Sequence, residues 1–70
     1  MVSRRSWSVE QIRALGLTTD IATAGSVLGI GRTTTYRLAQ SGQFPVPVIK
    51  AGHRYLVPVA GLLKALGVEV

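Results

Sequence analysis

The sequence contains no cysteine and few groups capable of acid–base chemistry. Without cysteine, these 70 residues cannot form a disulfide framework, a thiolate zinc site or a cysteine nucleophile. The acids are Glu10, Asp20 and Glu69, and the one histidine is His53. They are scattered, and no pair has the spacing of a general acid and base or of metal ligands. We therefore expect no catalytic activity, no cofactor and no bound metal.

The sequence also lacks a long hydrophobic run. No apolar stretch approaches the roughly 18 residues that span a bilayer, and the first residues do not form the apolar core of a signal peptide. We therefore expect a cytoplasmic protein with no membrane partner.

Basic residues outnumber acidic ones. Eight Lys and Arg residues against three Asp and Glu residues give a formal charge of +5, which favours an acidic partner. Hydrophobic residues make up 47% of the chain, a share typical of a folded domain and not of a disordered basic tail. A chain of 70 residues has room for one small domain. We predict a basic N-terminal arm over residues 1–7 and a single domain over residues 8–70.

The first helix signal is at Ser8. Ser8 and Gln11 have the spacing of a capping box, which predicts a short helix over residues 8–15 with Gly16 at its end. Trp7 precedes the cap and is placed to pack back as a hydrophobic staple.

Two further helices follow, joined by a short glycine-containing turn. Asp20 predicts the N-cap of the second helix, and Gly29 its end. The third is predicted over about residues 32–40, with Thr35, Leu38 and Ala39 facing inward. This pattern over residues 20–41 is the geometry of a helix-turn-helix, although an ordinary helical hairpin gives the same pattern.

The pattern changes to strands after Phe44. Residues 45–50 and 53–57 are predicted to form a hairpin over about residues 45–57, with Ala51 and Gly52 in the turn. Pro58 suits the first position of a last helix over about residues 58–66. The predicted inner stripe of that helix consists of Val59, Leu62, Leu63 and Leu66. The predicted fold is thus mainly α with a small β-hairpin, in the order α-α-turn-α-ββ-α.

Three fragments resemble known motifs. Residues 28–38, LGIGRTTTYRL, resemble the pattern LGVSRSTVYRL; residues 41–45, SGQFP, resemble SGELP; and residues 51–58, AGHRYLVP, resemble GGRYRIP. These motifs belong, in this order, to the excisionase family of small winged helix-turn-helix proteins in the MerR-like DNA-binding group. The chain departs from the family at Gly31, where Ser is usual, at Thr35, where Val is usual, and at Leu56, where many relatives have Arg.

The resemblance implies binding to double-stranded DNA. The third helix would enter the major groove, and the hairpin, or wing, would reach the adjacent backbone or minor groove. Excisionases, also called recombination directionality factors, bind neighbouring sites as arrays of copies, bend the DNA and direct an integrase toward excision. The expected partners are therefore double-stranded DNA, a tyrosine or serine integrase of a phage or integrative element, and further copies on DNA. We expect a monomer free in solution.

Two other functions fit the same sequence. A small transcriptional regulator, such as a repressor, would use the same DNA contacts. A protein-interaction module would instead use the apolar segment over residues 62–70.

The candidate DNA contacts lie on the third helix and the hairpin. Arg32 and Arg37 suit guanine edges. Lys50 suits a phosphate, and Arg54 a narrow minor groove. The complete predicted set is Arg32, Thr33, Thr34, Tyr36, Arg37, Gln40, Lys50, His53 and Arg54, with Arg4 and Arg5 as accessory contacts. The alternatives are solvated surface side chains, a half-buried ring for Tyr36, and a tail of unspecific affinity for the two arginines of the arm.

Overall fold

A computed structural model describes residues 7–68 and contains four helices and three strands in that range. In chain order the elements are α1 (Val9–Arg13), β1 (Thr18–Asp20), α2 (Ile21–Leu28), α3 (Arg32–Ser41), β2 (Ile49–Ala51), β3 (Arg54–Pro58) and α4 (Val59–Ala65). The described part is therefore a small mixed α/β domain, with helices around a three-stranded antiparallel sheet. No helix within residues 7–68 is long and apolar enough to cross a membrane.

The capping box predicted for α1 is confirmed. The Ser8 hydroxyl accepts a hydrogen bond from the Gln11 backbone amide at 3.1 Å, and the Gln11 side-chain oxygen accepts one from the Ser8 backbone amide at 3.0 Å. The helix ends at Arg13, two residues earlier than predicted, and Ala14 is its C-cap. The backbone then leaves the helical conformation at Gly16, which has a φ of 99°. So short a helix is unstable alone, and it packs against α4 through Ile12.

The boundaries predicted for the next two helices are also confirmed. The Asp20 carboxylate accepts a hydrogen bond from the Thr23 backbone amide at 2.9 Å, and this bond caps α2. Gly29 and Gly42 end α2 and α3 in the left-handed conformation, at φ 77° and 75°. At this position a residue with a Cβ is disfavoured and glycine is not.

The sheet differs from the predicted two-stranded hairpin. β3 lies in the centre, paired on one side with β2 and on the other with β1, a strand that the sequence analysis missed. Thr19 lies opposite Val57 in the first pair, and Lys50 lies opposite Tyr55 in the second. The third strand supplies the additional pairing that an isolated hairpin lacks in water.

The first hairpin strand is shorter than predicted, whereas the second has the predicted length and is shifted by one residue, to Arg54–Pro58. β2 begins at Ile49 and not at residue 45, because Pro45 and Pro47 have no amide to donate to a ladder. The segment before β2 instead contributes buried side chains to the core, Phe44 and Val46.

The core consists of two apolar clusters. The larger contains Ile21, Ala24, Ala39, Phe44, Val46, Val57 and Leu62. The smaller contains Ile12, Val59 and Leu63, with Trp7 packed against it, as expected of a staple.

The last helix requires two corrections. The stripe prediction is wrong for Leu66, which lies at the C-cap and is 46% exposed. The helix also begins one residue later than predicted, at Val59, because Pro58 is its N-cap and the last residue of β3.

Candidate nucleic-acid interface

One face of α3 is buried and the opposite face is polar. Thr35 and Ala39 point into the protein, with exposures of 0% and 9%. The predicted contacts on α3 are exposed except for Thr34, which is half-buried; the exposed ones are Arg32, Thr33, Tyr36, Arg37 and Gln40. Tyr36 is 41% exposed, so its ring is neither fully solvated nor part of the core. The exposed residues of α3 therefore carry two guanidinium groups, hydroxyls and an amide, and no acid; Arg37 lies opposite Thr35, and Arg32 lies at the margin of the buried side.

The N-terminal end of α3 has no side-chain cap. Gly31 is the N-cap, and as a glycine it has no side chain that could accept a hydrogen bond from the first-turn amides. The first amides of a helix have no partner within the helix, and its dipole places partial positive charge there. Together with the Thr33 hydroxyl nearby, these amides form a donor set suited to an anionic oxygen.

The predicted hairpin cations surround the turn between β2 and β3. Lys50, His53 and Arg54 are all exposed, and Gly52 makes the turn at φ 63°. Cross-strand pairing places Lys50 opposite Tyr55 and Arg54 opposite Ala51. Since side chains alternate along a strand, Lys50 and Arg54 project from opposite faces of the hairpin.

A groove connects α3 with one face of the hairpin. Its volume is about 500 Å³. The polar side chains at its edges are Gln40, Lys50 and Tyr55, and the lining between them is mostly apolar, including Phe44 and Val46. The structure therefore brings Gln40 and Lys50 together, whereas His53 and Arg54 do not line this groove. Tyr55 was missed as a site residue because its alternation with Val57 assigns it to the core.

The N-terminal ends of α2 and α3 share a second cleft. Arg32 lines it together with Asp20 and Trp7, and its volume is about 440 Å³. Hydrogen bonds from Thr23 are the main reason why the pKa of Asp20 lies below its ordinary value, and the positive charge of Arg32 lowers that pKa further. Arg32 thus lies near the Asp20 carboxylate. The spacing of residues along α3 did not predict this neighbour. Arg37, one turn and a half further along α3, does not line this cleft.

The basic arm joins the domain beside the same cleft. The Trp7 indole donates a hydrogen bond from Nε1 to the Ser26 hydroxyl at 3.2 Å, which holds the start of the described chain on α2. Arg4 and Arg5, the predicted accessory contacts, lie outside the described residues.

Comparisons with protein-family models, curated proteins and solved structures give no match. Among residues 7–68, no three His, Cys, Asp or Glu side chains are grouped so that they could hold a metal ion. The fold and site together define a small mixed α/β domain with two exposed cations on α3 and two on the hairpin, while Arg13 on α1 and Lys64 on α4 are exposed elsewhere.

Proposed function

We propose that the chain is a sequence-specific, double-stranded DNA-binding protein of the winged helix-turn-helix type. The observation that supports this most strongly is Arg37, which is exposed on the side of α3 opposite Thr35, the residue that packs on α2. Arg32 is exposed as well, at the start of the same helix and beside the cleft with Asp20. An α-helix fits the major groove of B-form DNA, and an arginine can pair two donors with a guanine edge. Each such pair contributes roughly 1–3 kcal/mol of discrimination against a wrong base.

Phosphate contacts orient α3 in this proposal. The open amides at the start of α3 and the hydroxyls of Thr33 and Thr34 bind one phosphate. Lys50 binds a phosphate of the DNA backbone at the groove between α3 and the hairpin. Gln40 and Tyr55, which line the same groove, also contact this stretch of DNA backbone. Arg54, on the other face of the hairpin, enters the adjacent minor groove, while His53 lies at the turn.

The biological role we propose is that of an excisionase of a phage or integrative element. The motifs at residues 28–38, 41–45 and 51–58 support this role by their resemblance to that family. The protein bends DNA and directs an integrase toward excision, through groove binding without catalysis. Free in solution it is a monomer, and copies contact one another and the integrase on neighbouring DNA sites.

Binding experiments with duplex DNA test the DNA-binding proposal. DNA flanking the gene is the natural source of a specific site, and a footprint there would locate it. Arg37→Ala should weaken binding to this site, whereas Lys64→Ala on α4 removes the same charge away from the proposed interface and should not. If the Arg37 and Arg54 variants bind native and random duplexes as the unmodified protein does, the DNA interface is assigned incorrectly.

A recombination assay tests the role separately. Excision by the integrase of the element should require the protein and should be lost with Arg37→Ala. Excision that proceeds equally well without the protein would contradict the role of excisionase and leave a transcriptional regulator on the same fold.

A further inference from the structure

The most exposed large apolar side chain outside the proposed DNA interface is Leu17, between α1 and β1. Of the residues that the structure describes, it has the largest exposure reported for a bulky hydrophobic side chain, 91%. Its backbone is held in place, because the Leu17 carbonyl accepts a hydrogen bond from the Val59 backbone amide at 2.9 Å. The pairing of Thr18 with Pro58 follows directly. Leu17 therefore projects into solvent from an ordered strand pair.

Beside Leu17 lies a shallow groove of about 280 Å³, which we call the Leu17 groove; it is lined by Arg13, Gly16, Leu17, Val59, Ala60 and Leu63. Arg13 is the one charged residue in this lining. Lys64 follows Ala60 by four positions and so extends from the same side of α4. The groove is thus apolar along its length and has cations at its margins.

The Leu17 groove is separate from the candidate DNA interface. It lies at the end of β3 where Pro58 leads into α4, whereas Lys50 and Arg54 lie near the turn at the other end. None of its lining residues lines the groove between α3 and the hairpin. A partner in the Leu17 groove and DNA on α3 can therefore bind together.

We propose that the Leu17 groove binds an acidic amphipathic segment of a partner protein. The apolar side chains of that segment cover Leu17, Ala60 and Leu63, and its carboxylates face Arg13 and Lys64. Electrostatic complementarity selects this occupant. A second copy of the chain would bring the same cations against each other in a protein of charge +5. The chain's own residues 1–6 contain Arg4 and Arg5 and have the wrong charge for the site.

A designed peptide pair tests this inference without knowledge of the partner. The probe is a helical peptide of about four turns with leucine on one face and glutamate flanking it, and its twin has lysine in place of every glutamate. With the ¹⁵N-labelled full chain, the acidic peptide should shift the amide signals of Gly16, Leu17 and Ala60 saturably, and added salt should weaken the effect. The lysine twin should give no saturable shift.

Leu17→Ser is the matching variant. Because Leu17 is almost fully exposed, this change should leave the thermal midpoint of unfolding unchanged. It should lower the affinity for the acidic peptide about tenfold or more. Ile49→Ser is the control, since Ile49 is 49% exposed on the hairpin and does not line the groove. Equal binding of both peptides, an unaffected Leu17 variant, or signals that shift with protein concentration alone would each overturn the proposal. Arg37→Ala should not affect peptide binding, so a failure of the DNA-binding proposal is distinguishable from a failure here.

Discussion

Gly25 on α2 and Thr35 on α3 lie in direct contact and set how closely the two helices approach. A Cβ added to Gly25 would lie 2.7 Å from Thr35 Cγ2 and 2.9 Å from Thr35 Cβ, and would overlap the Oγ1 atom. The Thr35 hydroxyl donates to the Gly31 carbonyl at 2.8 Å, so this fully buried side chain keeps its hydrogen bond. Threonine at this position therefore fits the contact, with a hydrogen-bonded hydroxyl where valine would have a methyl group. The same contact orients the outward face of α3.

The methyl group that Gly25→Ala adds requires α2 and α3 to separate, which should cost about 1–3 kcal/mol. The gain of about 1 kcal/mol that Ala brings in a helix interior offsets part of this cost, so the net destabilisation should reach about 2 kcal/mol. Urea denaturation measures the change. Gly31→Ala is the control, since Gly31 has φ −63° and no atom within 4 Å of an added Cβ. A fully additive loss in the Gly25→Ala/Thr35→Ala double variant would show that the two residues are not coupled.

Gly31→Ser and Gly31→Asp should both stabilise the protein by a few tenths of a kcal/mol, because each supplies the side-chain cap that α3 lacks. Their effects on DNA should differ. The carboxylate of the Asp variant repels phosphate and should lower DNA affinity, whereas Ser should not do so comparably. Denaturation and DNA titration at one salt concentration check both expectations. Equal affinities for the two variants would place phosphate away from this helix end.

Asp20 should make stability depend on pH in the acid range. Its pKa in the folded protein is below the ordinary value of 3.8, mainly because of hydrogen bonds from Thr23. The carboxylate therefore adds stability at pH values above 3.8, and this contribution is lost as pH falls through the lower pKa of the folded state. Asp20→Asn keeps a capping side chain but cannot ionise, so its stability should change less between pH 5 and pH 2. Thermal melts of both proteins across that range provide the comparison.

Arg37→Ala should reduce sequence discrimination as well as affinity. Loss of a two-donor contact with guanine corresponds to roughly 1–3 kcal/mol at one base pair. The measurement is competition between the native site and single-base variants of it. Discrimination that is unchanged at every position would mean that Arg37 contacts only the backbone.

Lys50→Ala should weaken binding to all duplexes alike and reduce the salt dependence. If about five cations contact phosphates, the logarithm of affinity should fall with the logarithm of salt concentration at a slope near −4 to −5. Removal of Lys50 should make that slope less steep by about 1. Lys64→Ala should leave it unchanged. The proposed role of Lys50 would be contradicted if the Lys50 and Lys64 variants gave the same slope.

Helix ends were predictable because their signals are local. The Ser8–Gln11 box, the Asp20 cap and the stop at Gly29 depend on residues within one turn of each other. Leu66 was mispredicted because periodicity does not show where a helix leaves the core. The exposed positions of α3 followed from the same periodicity, so most of the candidate site on that helix could be identified before the structure.

The positions of the four helices, of the hairpin turn and of the exposed cations could be predicted from residues close together in the chain, since caps, glycine turns and side-chain periodicity act over a few residues. Packing of the elements places Thr18–Asp20 in the sheet, Tyr55 in a groove with Lys50, and Arg32 in a cleft with Asp20. The same packing leaves Leu17 exposed beside α4. These relationships join residues distant in the chain, and they depend on the packing of whole elements against one another.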